Sequence, residues 1–224
     1  MPGWWSESRT FWREYRANFK HTGAVLPSGR SLGRALATFV RERPAEAAGG
    51  LKILEIGPGT GAVTRQLCAA LRPADELDLC ELSTAFVEVL RQRLKEERPF
   101  SDVADRVRIF HQPIEQLDVE GRYDLVVSCL PLNNFQVHEV EAILGQLPRL
   151  LRPGGTLSFF QYIGIRKLRG VVAGTADRER LAGIGRAMDA MLTGEIRRNH
   201  VWVNVPPAYV HHVRFEAGQV KATS

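Results

Sequence analysis

The sequence has few cysteines, no long apolar run and no metal-ligand motif, and each shortage excludes a class of protein. Its three cysteines among 224 residues are odd in number and irregularly spaced, which is typical of buried free thiols. No stretch approaches the roughly 20 apolar residues of a membrane-spanning helix. The apolar residues of the N-terminus are interleaved with Glu7, Arg9, Arg13 and Glu14, so we expect no secretory signal there. We therefore expect a cytoplasmic protein that holds no metal ion.

The composition is that of a folded domain with a moderate positive charge. With 44% hydrophobic and 25% charged residues, the chain has enough apolar material for one well-buried domain and a terminal extension. The formal net charge of +5 and the pI of about 9.4 favour an anionic partner, either a nucleic acid or a membrane surface. The charge alone does not distinguish these two partners. It is equally compatible with a charge that only keeps the protein soluble and binds no anionic partner.

Strand-like and helix-like segments alternate from Leu51 onward, which predicts a parallel sheet with helices on both faces. Residues 201–205 and 209–215 predict two further strands, which would close the sheet as an antiparallel hairpin around Pro206-Pro207. We divide the chain into N-terminal membrane or lid helices over 1–48, one domain over 49–216 and a polar tail over 217–224. The other predicted strands are 51–56, 77–82, 106–110, 123–129 and 156–161, and the predicted helices are 62–71, 83–97, 137–151 and 175–192.

A glycine-rich turn, E-I-G-P-G-T-G at 55–61, lies between the first predicted strand and helix. Glycines in such a turn let backbone approach a ligand closely, and the following helix N-terminus favours polar or anionic groups. The glycines are spaced by two residues, unlike those of a dinucleotide-binding loop. Glu81, at the end of the second strand, can accept hydrogen bonds from both hydroxyls of a ribose. Glu55 can receive an ammonium group; the alternative is a tight turn that serves no ligand.

This loop, the acidic Glu81 and L-L-R-P-G-G at 150–155 together resemble the class I S-adenosylmethionine-dependent methyltransferases. The resemblance covers 51–161 and implies a Rossmann-like seven-stranded α/β sheet, with S-adenosylmethionine as cofactor and S-adenosylhomocysteine as product. It implies that the loop glycines line the methionine part and that Glu81 and Leu82 hold ribose and adenine. Gln112 stands where the family often has an acidic residue for the adenine amino group. The predicted cofactor-binding residues are Glu55, Gly57, Gly59, Gly61, Glu81, Leu82, Gln112 and Ser128.

A narrower resemblance links four separated motifs to the bacterial phospholipid N-methyltransferases. K-H-T-G-A-V-L-P-S-G-R-S-L at 20–32 is similar to their G-A-V-x-P-S-S-x-x-L signature, and S-C-L-P-L at 128–132 is similar to S-G-L-P-L. Tyr162 and V-P-P-A at 205–208 also match. The resemblance implies methylation of a lipid head-group amine, usually from phosphatidylethanolamine towards phosphatidylcholine, and related sequences methylate ornithine lipid. Cys129 replaces the usual glycine, and Gly29 replaces a serine.

Two other functions remain open at this point. The upstream and loop motifs also resemble the ribosomal RNA adenine N6-dimethyltransferases, which carry N-L-P-Y after the fourth strand and stack its aromatic ring on the target base. Leu132 stands at that tyrosine position, so the stacking ring is absent and nucleic acid is not the expected partner. The remaining alternative is a protein that binds the cofactor without catalysis.

The first 20 residues predict an amphipathic helix. At about 100° per residue, the aromatic side chains of 4–20 fall on one stripe with cations beside it. This pattern is typical of an interfacial membrane helix that attracts anionic lipid; the alternative is a helix packed on the protein's own core. The predicted location is therefore peripheral, on the inner face of the cell membrane. The predicted membrane residues are Trp4, Trp5, Arg9, Phe11, Trp12 and Arg16.

Residues beyond the fourth and fifth strands are the candidates for positioning an amine acceptor. Tyr162 follows a strand end, where ligands bind in such sheets, and its ring can stabilise a methylated cation. Asn133 is the second catalytic candidate, although it and Asn134 can equally cap the following helix. His211 and His212 are expected to point to opposite faces of a strand. The predicted substrate-binding residues are Lys20, Ser28, Ser31, Asn134, Arg197 and His200, with Arg197 a candidate for a lipid phosphate.

Overall fold

The computed structural model describes residues 27–44, 49–132, 135–163 and 175–215, without the side chains of 27, 28 and 175–178. The predicted helix over 4–20 and the tail over 217–224 lie outside the described residues. Several predicted site residues also lie outside them, namely Lys20, Asn133, Asn134 and all six membrane residues, and Ser28 is described only in its backbone.

Sixteen elements follow one another in the described part of the chain. The helices are α1 (Pro27–Leu36), α2 (Thr38–Arg41), α3 (Thr64–Cys68), α4 (Thr84–Glu96), α5 (Val137–Leu150) and α6 (Thr175–Met191). The strands are β1 (Lys52–Ile56), β2 (Glu76–Cys80), β3 (Val107–Phe110), β4 (Tyr123–Ser128), β5 (Leu151–Tyr162), β6 (Glu195–Val201) and β7 (Ala208–Arg214). Three 3-10 turns complete the set, at Ser101–Arg106, Ile114–Gln116 and Leu192–Gly194.

The strands form one seven-stranded sheet in the order β3-β2-β1-β4-β5-β7-β6. The first five are parallel, and β7 runs antiparallel to both β5 and β6. The strand order reverses between β1 and β4, because β2 and β3 lie on one side of β1 while β4 and β5 lie on the other. This sheet confirms the predicted Rossmann-like α/β fold.

Helices cover both faces of the sheet, as the alternating pattern predicts. Leu54 packs with α5 and α6 on one face, and Ile53 packs with α1 and α3 on the other. Neighbouring residues of a strand point to opposite faces, so a strand buried on both faces is apolar along its length. In the described part of the chain, no helix is long and apolar enough to cross a membrane.

Two predicted boundaries are wrong. The sixth strand is Glu195–Val201, not 201–205, because it lies at the sheet edge with a mostly exposed surface and therefore lacks an apolar pattern. The apolar Val203 and Val205 lie in the turn that follows. The fifth strand begins at Leu151 rather than at 156, since Gly154 and Gly155 do not interrupt its pairing with β4 beyond a local register shift.

Candidate functional site

The ends of the parallel strands form one edge of the sheet, which we call the carboxyl edge. Loops after β1, β2, β4 and β5 meet there, and the strand order reverses there between β1 and β4. In open α/β sheets this reversal opens a crevice between neighbouring loops, where ligands bind. The glycine-rich loop after β1 therefore lies at the position where the fold favours a ligand.

Two glycines of this loop have different structural roles. Gly57 and Gly59 both adopt left-handed φ angles, 68° and 57°, which favour glycine. A Cβ added at Gly57 would lie 2.7 Å from Leu130 Cδ2, whereas a Cβ added at Gly59 would have no atom within 4 Å. Gly57 thus packs closely against Leu130 of the segment after β4, while the backbone at Gly59 faces open space that a ligand can enter.

Glu81 is held against this loop by backbone hydrogen bonds. Its side chain is buried; Gly59 N donates to Oε2 at 3.0 Å and Ser83 N donates to Oε1 at 2.8 Å. Burial raises the pKa of Glu81, and the N–H groups of Ser83 and Gly59 oppose that rise. Each carboxylate oxygen has a further lone pair, so Glu81 can still accept from two hydroxyls of a ribose.

Glu55 is a buried carboxyl group with an unsatisfied oxygen. The Cys129 thiol donates to its Oε1 at 3.4 Å, and its Oε2 has no partner at hydrogen-bond geometry among the described residues. Burial raises the pKa of Glu55 to about 7, although the nearby hydroxyl and N–H groups of Thr64 oppose the rise. Burial also raises the pKa of the Cys129 thiol, and the neighbouring Glu55 adds to that effect. A buried carboxylate without a counter-charge is costly, and a cationic amino group of a ligand would compensate it.

The raised pKa of Glu55 predicts a pH dependence of stability. The folded protein keeps a proton on Glu55 up to about pH 7, whereas the unfolded chain loses it near the ordinary value of 4.5. The contribution of Glu55 to the free energy of unfolding should therefore fall as the pH rises through this window, by up to about 3 kcal/mol. The lowered pKa of His212 acts in the opposite direction below about pH 6.5, so the quantity to compare is the stability of the wild type minus that of Glu55→Gln. In urea denaturation between pH 4.5 and 8, this difference should fall as the pH rises.

The exposed Glu88 provides the control for that comparison. Glu88→Gln should leave the wild-type dependence on pH intact, because an exposed carboxyl group loses little solvation on folding. If Glu55→Gln and Glu88→Gln give curves of the same slope, Glu55 is not the group that titrates in this window.

Three other predicted cofactor residues lie at the same edge. Ser128 ends β4 beside Ile56, and its buried Oγ has no hydrogen-bond partner in the described part of the chain. Leu82 is half-buried beside Glu81. Gln112 follows β3. Its side-chain Nε2 donates to the backbone carbonyl of Gln116 at 2.8 Å, and its backbone carbonyl accepts from Cys80 Sγ at 3.3 Å. The side-chain nitrogen of Gln112 is thus engaged within its own loop.

Sequence reasoning missed part of this arrangement. Ser83, which the pattern suggests as a helix cap, makes no side-chain cap hydrogen bond; instead its backbone N–H holds Glu81. The contact of Cys129 with Glu55 and the close approach of Leu130 to Gly57 also went unpredicted. The only sequence signal for these contacts is that S-C-L-P-L directly follows a predicted central strand.

The predicted catalytic and substrate-binding residues are only partly brought together. Tyr162 ends β5 at the carboxyl edge, with its ring edge-on to Phe160 at 5.1 Å. Burial raises the pKa of Tyr162, so the phenol stays protonated at neutral pH. His200 lies near the end of β6, 4.9 Å from the Tyr209 ring. Ser31 is half-buried on α1.

Arg197 is not brought to the carboxyl edge. Its Nη1 donates to Glu42 at 2.6 Å, and it lines a cleft of about 380 Å³ together with Arg152 and Gly155. Those two residues lie at the start of β5, so the cleft lies at the opposite edge of the sheet from Gly59. Arg197 therefore lies at the opposite edge of the sheet from the glycine-rich loop, and its role in binding a lipid phosphate stays a prediction.

The two adjacent histidines point to opposite faces, as predicted. His211 packs on Phe159 and its Nδ1 lies 2.6 Å from Glu195 Oε1. His212 packs on Phe39 and its Nδ1 lies 2.7 Å from Ser158 Oγ. Burial lowers the pKa of both, that of His212 to about 4, so His212 is neutral at physiological pH. Both side chains belong to β7 and are buried in the interior of the protein.

No group of three or more His, Cys, Asp or Glu side chains is arranged to hold a metal ion in the part of the chain that the structure describes. The polar groups at the carboxyl edge are instead the two buried carboxyls, Glu55 and Glu81, with backbone N–H groups of the loop. This set matches a ligand with a ribose and a cationic amino group.

Comparison with known proteins gives one family and several relatives. Residues 53–155 match the family described as "Methyltransferase domain". The ornithine lipid N-methyltransferase of Singulisphaera acidiphila is 31% identical over 143 residues, which cover 62% of this chain and 71% of that protein. The malonyl-[acyl-carrier protein] O-methyltransferase of Priestia megaterium is 31% identical over 109 residues, which cover 49% of this chain and 36% of that protein.

Solved structures share the fold at low sequence identity. The Burkholderia thailandensis 1,6-didemethyltoxoflavin-N1-methyltransferase, with bound 1,6-didemethyltoxoflavin and S-adenosylhomocysteine, aligns with a TM-score of 0.61 and 19% identity over 94% of this chain and 90% of that one. The O-methyltransferase TomG of Streptomyces achromogenes aligns with a TM-score of 0.58 and 18% identity over 85% of this chain and 81% of that one.

The chain spans only a small part of some curated relatives. It covers 3% of a polyketide synthase-nonribosomal peptide synthetase of Aspergillus flavipes, at 33% identity over 120 residues, and 36% of the Priestia megaterium enzyme. The chain therefore corresponds to only a part of these two relatives.

Proposed function

We propose that this chain, which belongs to the class I S-adenosylmethionine-dependent methyltransferases, methylates the head-group amine of a membrane lipid. Its methyl donor is S-adenosylmethionine and the product is S-adenosylhomocysteine. The acceptor we propose first is phosphatidylethanolamine, converted towards phosphatidylcholine. The observation that carries the lipid assignment is the similarity to an ornithine lipid N-methyltransferase across 71% of that protein, which also makes ornithine lipid the second candidate.

The described residues fit the cofactor at two points. The unsatisfied Oε2 of Glu55 would receive its ammonium group, and Glu81 would accept from its ribose hydroxyls. The open space at Gly59 leaves room for a ligand against the loop backbone. When bound, S-adenosylmethionine supplies a methyl group that its positively charged sulfur already activates. The protein therefore needs mainly to hold an acceptor in line with that methyl group.

Tyr162 is the described residue that we propose positions the acceptor. It ends β5 at the carboxyl edge, and its protonated hydroxyl can hydrogen-bond to a neutral amine. Its ring face can stabilise the cation that each methylation produces. Asn133 and Asn134, which follow β4, remain proposals from the sequence because they lie outside the described residues. An amine acceptor must first lose a proton, since an ammonium group has no lone pair to offer.

The structure of the segment after β4 argues against a nucleic-acid acceptor. Leu132 is buried in the core at the position where the ribosomal RNA dimethyltransferases carry the stacking tyrosine. Phe135, three residues later, is also buried there. Base-modifying enzymes hold an extruded base by stacking and by contacts to its edge, and neither of these side chains presents a surface for stacking.

We also propose that an anionic membrane surface is the partner of this enzyme and that residues 1–48 contribute to that contact. The support is the sequence pattern over 4–20, in which three tryptophans are flanked by arginines, together with the lipid-methylating relative. In this proposal the enzyme acts from the inner face of the cell membrane, with residues 49–216 as its catalytic domain.

The acceptor is tested by incubating the purified full chain with radiolabelled S-adenosylmethionine and separate acceptors. We expect label in vesicles that contain phosphatidylethanolamine or ornithine lipid, because both present a primary amine near an anionic group. Phosphatidylglycerol vesicles, which have no amine, are the matched control and should stay unlabelled. Label confined to ribosomal RNA, or label in phosphatidylglycerol, would overturn the proposed function.

A further inference from the structure

We propose that the turn between β6 and β7, residues 202–207, inserts into an anionic lipid surface and docks the carboxyl edge of the sheet on it. We call this segment the hairpin tip. The inference rests on the proposed lipid substrate, and it assigns the contact to a described surface distinct from the N-terminal segment.

The hairpin tip carries three of the four large apolar side chains that are exposed in the described ranges. Trp202 is 63%, Val203 68% and Val205 81% exposed. The fourth, Ile196, is 45% exposed and lies at the start of β6, at the opposite end of that strand from the tip. Burying apolar surface stabilises by about 25 cal/mol per Å², and a contiguous exposed group of this kind marks an interaction site.

The hairpin tip is ordered in a way that keeps these side chains outward. Asn204, between the two valines, is buried, and its Nδ2 donates to Pro206 O at 2.6 Å. Val203 and Val205 therefore share the exposed side of the turn. The His200 ring lies 5.8 Å from that of Trp202, edge-on. The tip thus presents its apolar groups without a rearrangement.

The hairpin tip lies at the same edge of the sheet as the cofactor loop. β7 runs antiparallel to β5 with Ala208 opposite Tyr162, and Ile163 N donates to Pro207 O at 2.7 Å. Tyr162 is the residue proposed to hold the acceptor amine. If the tip enters a bilayer, the carboxyl edge faces the head groups, so a lipid can reach Tyr162 without leaving the membrane.

The charge around the hairpin tip favours a lipid surface over a second copy of the chain. Residues 196–215 contain no Asp or Glu, so this stretch itself offers no acidic group to repel lipid phosphates. Arg198 pairs with Glu195 and Arg197 with Glu42, so the long-range attraction comes mainly from the net charge of +5. Two positively charged copies would repel one another. Tryptophan also prefers the membrane–water interface.

A chain with Trp202 as its single tryptophan tests this directly. The other tryptophans are Trp4, Trp5 and Trp12, and replacing all three with Phe leaves Trp202 as the only reporter. On addition of phosphatidylglycerol vesicles, Trp202 emission should shift to shorter wavelength, and brominated acyl chains should quench it. Unchanged emission while the protein sediments with the vesicles would overturn the proposal.

A second variant measures the contribution of the tip in the otherwise natural chain. Trp202→Ser/Val203→Ser/Val205→Ser should weaken partition into phosphatidylglycerol vesicles by roughly tenfold or more, while Glu88→Ser/Gln92→Ser on the exposed side of α4 should not weaken it. Equal partition of the two variants would overturn the proposal. Concentration-dependent dimerisation without vesicles, abolished by the tip variant, would assign the surface to a second copy instead.

Methyl transfer to the same lipid dispersed in detergent separates this inference from the proposed function. The tip variant should keep wild-type activity on dispersed lipid and lose activity on vesicles. If the wild type methylates neither form of the lipid, the proposed function fails. If it methylates both and the tip variant matches it on both, only the docking inference fails.

Discussion

Replacing Glu81 with Ala should weaken S-adenosylmethionine binding by about a hundredfold or more. The carboxylate is proposed to accept from both ribose hydroxyls, and hydrogen bonds to a charged group contribute about 1.5–3 kcal/mol each. The variant also releases Gly59 N, which donates to Glu81 at 3.0 Å, and so loosens the loop that faces the cofactor. Titration calorimetry with the wild type and the variant measures the change in Kd.

Two further variants determine whether the effect belongs to the carboxylate. Glu81→Gln keeps one acceptor oxygen but sets an NH₂ group against either Gly59 N or Ser83 N, so its affinity should fall between those of the wild type and Glu81→Ala. Glu88→Ala, an exposed change on α4, should bind as the wild type does. Wild-type affinity in a folded Glu81→Ala variant would contradict the ribose assignment.

Replacing Gly57 with Ala should lower the free energy of unfolding by more than replacing Gly59 with Ala. Gly57→Ala forces a Cβ into a left-handed conformation, at about 1–2 kcal/mol, and within 2.7 Å of Leu130 Cδ2, where overpacking adds about 1–3 kcal/mol. The free energy of unfolding, measured by urea denaturation, should therefore fall by about 2–5 kcal/mol. Leu130→Ala removes the side chain that the new Cβ would meet. Gly57→Ala should therefore lower the free energy of unfolding by less in a Leu130→Ala chain than in the wild type.

Gly59→Ala is the matched comparison, because its φ is also left-handed but its Cβ meets no atom within 4 Å. Its stability should fall by only the conformational amount, about 1–2 kcal/mol. Its new methyl group occupies the space in which the cofactor is proposed to lie, so S-adenosylmethionine affinity should fall by tenfold or more. Equal stability losses in the two variants, or wild-type affinity in Gly59→Ala, would contradict this division of roles.

The parts of the fold that sequence predicts well are those where local pattern and burial agree. β4 reads Y-D-L-V-V-S, and every one of its residues is buried, as expected of a central parallel strand. The loop at 55–61 is predictable because its three glycines adopt left-handed φ angles, which favour glycine and so mark the turn in the sequence. The sequence pattern misplaces β6. An edge strand with Arg197, Arg198 and His200 on its surface has neither a run of apolar residues nor a regular alternation of apolar and polar residues.

The site is predictable in its residue types and less so in its contacts. Glu55 and Glu81 stand out because acidic residues at the ends of apolar strands are unusual. The donation from Gly59 N to Glu81 and from Cys129 to Glu55 joins residues 22 and 74 positions apart, and local pattern does not report such contacts. The pairing of Arg197 with Glu42 is another such contact, since these residues lie 155 positions apart.

The central claim, methyl transfer to a lipid amine nitrogen, is tested most directly by locating the transferred carbon. The wild type would be incubated with S-adenosylmethionine carrying a ¹³C methyl group and mixed vesicles of phosphatidylethanolamine, ornithine lipid and phosphatidylglycerol. Heteronuclear NMR of the extracted lipids should show the labelled methyl group bonded to a head-group nitrogen. Label on an oxygen or a carbon atom, or lipids that stay unlabelled while added ribosomal RNA acquires the methyl group, would contradict the account.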